Sequence, residues 1–113
     1  MKLPSAARVR RRREFLLVQQ RGRRVFSGDV LVLALDTGTG RPRIGITVSS
    51  RVANSVARNR VKRWVREAFR AVGRELPPVD LVVIARRGAP EMGLAGARRA
   101  IEAAADAVRG ERA

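Results

Sequence analysis

Residues 43–72 read RIGITVSSRVANSVARNRVKRWVREAFRAV, and the fold turns on the change of period inside them. From Arg43 to Ser50 the pattern alternates: Ile44, Ile46 and Val48 point one way, Arg43, Gly45, Thr47 and Ser49 the other, as in a β-strand. The second face is small and hydroxylated, with nothing bulky expected above the backbone. It is either an exposed sheet face or a surface that an RNA backbone can approach closely. From about Asn54 the period becomes helical. Asn54 or Ser55 can cap the start and Gly73 can stop it, which predicts a helix to Val72. At about 100° per residue, Ala57, Val61, Trp64, Val65, Ala68 and Val72 share one arc, the side expected to meet the core.

The adjoining arc carries Arg58, Asn59, Lys62, Arg63, Arg66 and Arg70. A solvated helix face usually mixes charge signs at i,i+4, because like charges at that spacing cost a few tenths of a kcal/mol per pair. Here Arg58, Lys62, Arg66 and Arg70 follow one another at that spacing with no acid between them, and Glu67 is the helix's one carboxylate, within reach of Arg63. A polyanion partner accounts for such a ridge better than water does.

Outward from this unit, Val30 to Leu35 (VLVLAL) and Val79 to Ala85 (VDLVVIA) are apolar runs that predict strands buried on both faces. Asp36 to Gly40 reads as a turn, and a short further strand fits between Arg23 and Gly28. Two more helices are predicted. One is a short amphipathic segment from Glu14 to Arg21, stopped at Gly22. The other runs from about Met92 to Val108 with Leu94, Ile101, Ala105 and Val108 on its apolar side. Alternation of helices and strands without repeats predicts one α+β domain over residues 1–113, built in two layers. Residues 1–13, ending in Arg10-Arg11-Arg12-Arg13, are expected to form a basic, flexible lead-in that adds phosphate contacts, and residues 109–113 a flexible tail.

The 113 residues are 45% hydrophobic, enough for a compact core, yet carry 25 Lys and Arg against 10 Asp and Glu, a net charge of +15. Such an excess repels itself unless an anionic partner screens it; nucleic acid is the first candidate and an anionic membrane surface the second. Arg greatly outnumbers Lys, and its planar guanidinium suits bidentate phosphate contacts and stacking on bases. With no Cys and no His, disulfides, Cys/His zinc sites and His- or Cys-based catalysis are excluded. No apolar stretch approaches a membrane span or a secretory h-region, so a cytoplasmic protein without membrane association is expected.

The segment Ala53 to Glu67 (ANSVARNRVKRWVRE) resembles the signature of the bacterial ribonuclease P protein family. It carries Arg-Asn-Arg, then Lys-Arg one residue on, then Arg-Glu, preceded by GITVS at 45–49 and followed by IARR at 84–87. The similarity spans roughly Arg8 to Val108. The resemblance implies an α/β sandwich with a mixed sheet of about four strands, three helices and a left-handed βαβ crossover, against the usual right-handed rule. It implies two partners, the catalytic RNA of ribonuclease P and precursor tRNA, with no obligate protein partner, and the removal of the tRNA 5′ leader as the activity. Arg58, Asn59, Arg60, Lys62, Arg63 and Arg66 would then bind RNA from the signature helix. Phe15 matches the family's leader-contacting aromatic, Ser49, Ser50 and Arg51 the cleft strand, and Arg86 and Arg87 the basic pair after the last core strand. The chain departs from the family at Gln19 and Leu33, where aromatics are common, which concentrates stacking on Phe15. Arg12 stands where a Ser or Asn commonly caps the first helix, so that helix is expected to fray without RNA.

Phosphodiester hydrolysis needs metal ions or a positioned acid/base pair, and the acids here are dispersed with no D-x-D or E-x-x-D cluster. No catalytic side chain and no metal ligand is therefore expected on the protein; Mg²⁺ would be held mainly by the RNA. A basic ribosomal or other structural RNA-binding protein is the alternative, and an autonomous metal-dependent nuclease fits less well.

Overall fold

The computed structural model describes residues 5–112. Its helices are α1 (Arg12–Arg21), α2 (Ser55–Val72) and α3 (Gly93–Arg112), and its strands β1 (Arg23–Ser27), β2 (Val30–Leu35), β3 (Arg43–Thr47) and β4 (Asp80–Ala85). The strands form one mixed sheet in the order β1-β2-β4-β3. β1 with β2 and β2 with β4 are antiparallel, while β3 and β4 are parallel and joined through α2, the crossover unit that the period change at residues 43–72 announces. The short strand expected between Arg23 and Gly28 is β1.

One sheet face meets α2 and α3. Val30, Val32 and Ala34 of β2, Ile44 of β3 and Leu81 and Val83 of β4 pack there with Val61, Val65, Phe69 and Ile101. Phe69, absent from the predicted apolar arc, is 4% exposed and belongs to this core. Leu94, placed on the apolar side of the last helix, is instead exposed, because α3 begins at Gly93 and turns Ala97, Ala100, Ile101 and Ala104 inward. The stripe of alanines lets α3 lie close to α2 and the sheet. The helix continues to Arg112, so residues 109–112, expected as tail, belong to it.

The opposite face carries a smaller core, Val18 of α1 over Leu33 and Val82. Because α1 crosses this face, β2 and β4 are buried on both sides, which is why their sequences read as continuous apolar runs. Asp80 is the exception, an acid buried at the start of β4. Arg43 Nε donates to its Oδ1 at 2.7 Å, Arg43 Nη2 to its Oδ2 at 2.5 Å, and the Thr37 hydroxyl to Oδ2 at 3.0 Å. Arg43 thus does not stand on an open strand face; it neutralises a buried carboxylate.

Residues ahead of α1 are tied to the sheet. Ser5–Ala7 form a short 3-10 turn, Arg8 bridges to Ile44 in parallel, and Val9 N donates to Ile44 O at 2.9 Å with Val9 itself buried. The part of the basic lead-in from Ser5 onward is therefore an added edge beside β3; Met1 to Pro4 lie outside the described residues. Helix α1 starts at Arg12, two residues earlier than predicted, with Arg11 at the N-cap. No side chain of a Ser or Asn is needed there. Glu14 Oε1 accepts from Arg11 N at 3.0 Å and from Arg10 N at 3.3 Å, and its Oε2 accepts from Arg43 Nη1 at 3.0 Å. The first turn is held by a carboxylate at its favourable end. Those contacts, the Arg11 N–H first and Arg43 after it, hold the Glu14 carboxyl below the usual carboxylate range against the opposing effect of burial.

Candidate nucleic-acid interface

The chain Glu14–Arg43–Asp80 fixes the start of α1 against the sheet, and the next residue, Phe15, takes its place from that anchor. Its ring lies directly over Gly45: a Cβ built there would fall 2.7 Å from Phe15 Cζ and 3.0 Å from Val9 Cβ. The small face of β3 is thus small because an aromatic covers it, and the expectation that nothing bulky stands above this strand is corrected at Gly45. Only beyond it, at Thr47, is that face exposed.

Two adjoining hollows meet at this ring. One, of about 280 Å³, has Ile44, Gly45 and Ile46 as its floor, Arg8 to Arg10 on one side and Lys62 and Arg66 of α2 on the other. The second, of about 360 Å³, lies between α1 and the end of β3 and is lined by Arg10, Arg12, Phe15, Leu16, Gln19 and Thr47. Phe15 and Arg10 belong to both, so together they form one groove with an aromatic at its centre. Five cationic side chains line it and no carboxylate does. A groove with one sign of charge and apolar walls focuses the field on whatever enters. Its charge and its half-buried ring suit a single polynucleotide strand: phosphates on the guanidinium and ammonium groups, a base on Phe15.

The residues singled out from sequence divide by location. Lys62 and Arg66 are half-buried and face the groove. Arg58 is half-buried too, but its Nη1 donates to Ala53 O at 3.0 Å, so part of its capacity holds the start of α2, where Asn54 Oδ1 accepts from Ala57 N. Arg63 pairs with Glu67 at 3.1 Å, as the spacing predicted, and is largely exposed. Arg60 lies over the ring of half-buried Trp64, 5.5 Å from its centroid, and Asn59 is exposed beside it. The signature therefore faces two ways: Lys62 and Arg66 towards the groove, Asn59, Arg60 and Arg63 towards solvent. Ser49, Ser50 and Arg51 are exposed but follow the last residue of β3, in the turn leading to α2. Arg86 and Arg87 are exposed after β4, and Arg86 reaches towards β1, with its guanidinium 5.6 Å from the Phe26 ring centroid. Of the arginine run, Arg10 and Arg12 line the groove, while Arg11 stands at the N-cap of α1, its N–H held by Glu14, and Arg13 is exposed. Leu33 is not at the groove at all; it is fully buried under Val18, so its lack of an aromatic ring removes nothing from this surface. Gln19 does line the groove.

Sequence reading missed Arg8, Glu14, Arg43 and Asp80 as the parts that shape the site. The signal was present for one pair: an acid inside VDLVVIA must find a buried partner, and an arginine at a strand start is the natural one.

Like charges gathered around the groove predict anion-linked stability. A ligand bound only by the folded chain adds about 2.7 kcal/mol at one hundred times its dissociation constant. Sulfate is therefore expected to raise the melting temperature more than chloride at equal ionic strength, and helicity with it. Because sulfate also strengthens burial generally, the informative comparison is with Lys62→Gln/Arg66→Gln, which should lose most of the difference. An equal response in both proteins refutes the linkage.

Among the described residues there is no group of three or more acids that could hold a metal ion, and no helix long and apolar enough to cross a membrane. The ribonuclease P family model matches residues 3–109. The ribonuclease P protein component of Gluconacetobacter diazotrophicus is 49% identical over 86 residues, covering 74% of each chain. Among solved structures, a Staphylococcus aureus RNase P protein mutant superposes with a TM-score of 0.82 at 27% identity, covering 92% of this chain and 89% of that one. The RNase P protein of Thermotoga maritima does so with a TM-score of 0.74 at 33% identity, covering 84% and 91%.

Proposed function

This chain belongs to the ribonuclease P protein family, and we propose that it is the protein subunit that binds the catalytic RNA and guides the 5′ leader of precursor tRNA for endonucleolytic removal. The observation that carries this reading is the groove itself: five cationic side chains and no carboxylate around a half-buried aromatic. A ribosomal protein needs charge but no such groove.

The protein's role here is to bind and position. Lys62, Arg66, Arg10 and Arg12 would hold leader phosphates, Phe15 would stack a base, and the outward cations Arg60 and Arg63 would meet the partner RNA. Phosphodiester cleavage would be carried out by Mg²⁺ ions held by that RNA. This reading is supported by the acids of the described residues, which form no group of three, and by Asp80 and Glu14 being engaged by Arg43. By screening phosphates near the leader, the protein would raise both substrate and metal affinity without touching the reacting atoms.

The test is electrostatic. Each phosphate neutralised contributes about −0.9 to the log–log dependence of affinity on salt for a duplex and about −0.7 for a single strand. Replacing Arg10, Lys62 and Arg66 together by Gln should therefore flatten the slope for leader-bearing precursor tRNA by about two units. Arg10 is chosen over Arg58 because Arg58 also holds Ala53 O. An unchanged slope would place the leader elsewhere. Recovery of the tagged protein with ribosomes, and not with one large RNA, would favour the ribosomal alternative.

A further inference from the structure

On the outer sheet face, beyond the edge of α1, four residues stand in one row across all four strands. Phe26 of β1 pairs with Leu31 of β2, Leu31 with Ile84 of β4, and Ile84 with Thr47 of β3. Paired residues share a face, and Leu31 and Ile84 pack beside the small core under α1, which fixes this face as the outer one. The neighbouring row runs Arg24, Leu33, Val82 and Gly45, and α1 covers its last three, with Val18 on Leu33 and Val82 and Phe15 over Gly45. The row from Thr47 to Phe26 is therefore a shallow track running alongside α1. Its near end, Thr47, lines the groove with Phe15. Its far end, three strand spacings or about 14 Å away, is Phe26, whose side is 61% exposed.

A lone exposed apolar side chain is ordinary on a protein surface. Phe26 differs in three respects. It is the most exposed ring among the described residues, it carries the Arg86 guanidinium 5.6 Å from its centroid, and it is joined to a cationic groove by a continuous row on one face. A guanidinium stacked on an aromatic presents a flat cationic surface for a nucleobase and a charge for its phosphate. The carboxylate closest to this end among the contacts described is that of Asp29, which sits against the Cα of Gly88 and not on the ring.

We infer that Phe26, with Arg86 upon it, is a second stacking platform for single-stranded RNA, reached only by a strand long enough to cross the sheet from Phe15. This rests on the proposed leader-binding function and adds to it a length dependence: the protein senses how far the leader extends. Phe15 serves the nucleotides at the groove, and Phe26 those beyond the sheet's width.

The experiment uses protein reconstituted with the ribonuclease P RNA and precursor tRNAs with leaders of about two and about eight nucleotides. Phe26→Ala should weaken binding of the longer leader about fivefold or more and leave the shorter one unchanged. Phe15→Leu should weaken both. Phe26→Trp should retain affinity, and its fluorescence should be quenched on binding the long leader but not the short one. The inference is overturned if Phe26→Ala leaves long-leader affinity within about twofold of the parent, using the stacking range as the yardstick. It is equally overturned if both leaders weaken alike, or if sedimentation shows that the substitution abolishes self-association. Silence of Phe26→Ala alone overturns this inference; silence of both Phe26→Ala and Phe15→Leu overturns the leader-binding function itself.

Discussion

Arg43→Met is expected to destabilise the fold by about 3–5 kcal/mol, the cost of leaving one member of a buried ion pair without its partner. The Asp80 side chain is 1% exposed and that of Arg43 16%, so water cannot take over from the lost guanidinium. The substitution strands three contacts at once: the two to Asp80 and the one to Glu14. For a chain of 113 residues, this should lower the melting temperature by roughly 10 °C or more. Arg43→Met/Asp80→Leu should recover much of the loss, since replacing both members of a buried pair by apolar groups is often close to neutral. A loss below about 1 kcal/mol for the single variant, measured by urea unfolding, contradicts burial of an active pair. Acid acts on the same network through Glu14. Its carboxyl is held below the usual range in the folded chain, so its contribution is complete above that range and fades as pH falls through and beneath it. Glu14→Gln should therefore lose stability at neutral pH and show a shallower decline on acidification.

That network marks where sequence reading stops. Alternation places β3, unbroken apolar runs place β2 and β4, and the 3.6-residue period places α2, because each buries a face, both faces or a stripe that is written in order along the chain. Caps and edges were harder. Helix α1 was expected to begin at Glu14 and to lack a cap. In the structure Glu14 is itself the group that satisfies the first turn, a long-range role shared with Arg43, 29 residues away. Leu94 of α3, expected on the core side, is exposed because the phase of a helix is set by what it packs on, and α3 packs through alanines that carry weak periodic signal; Phe69 of α2, left out of the expected apolar arc, is buried. The groove was legible in its charge and its aromatic but not in its shape. Alternation on β3 put Gly45 beside Thr47 and Ser49 on one face. Which ring would cover the glycine depended on where α1 crosses the sheet.

Covering Gly45 gives Phe15 two duties, and separating them is the more demanding test of function. Phe15→Ala is expected to weaken binding of leader-bearing precursor tRNA by about 1–3 kcal/mol, roughly five- to 150-fold, the range for removing a base–aromatic stack. Binding of mature tRNA should not change. The ring also packs over Gly45 and lies beside the Val18 core, so truncation costs stability as well. Complete burial of a Phe is worth about 3–5 kcal/mol on truncation, and a half-buried ring should lose less, on the order of 1–2 kcal/mol. Phe15→Leu separates the effects. Leucine still fills the space above Gly45 and so should melt close to the parent, yet it presents no flat π-face to a base. If stacking is the function, Phe15→Leu binds the leader nearly as poorly as Phe15→Ala while staying folded. Gly45→Val approaches the same surface from beneath: even a Cβ there would meet the ring at 2.7 Å, so the ring must leave its seat and the groove must narrow. Leader binding should fall in that variant with Phe15 intact, whereas Gln19→Phe, on the groove wall one turn further along α1, should strengthen it. Equal losses for leader-bearing and mature tRNA in Phe15→Leu would mean that the ring is a packing element alone, and that the leader takes its affinity from the cations around it.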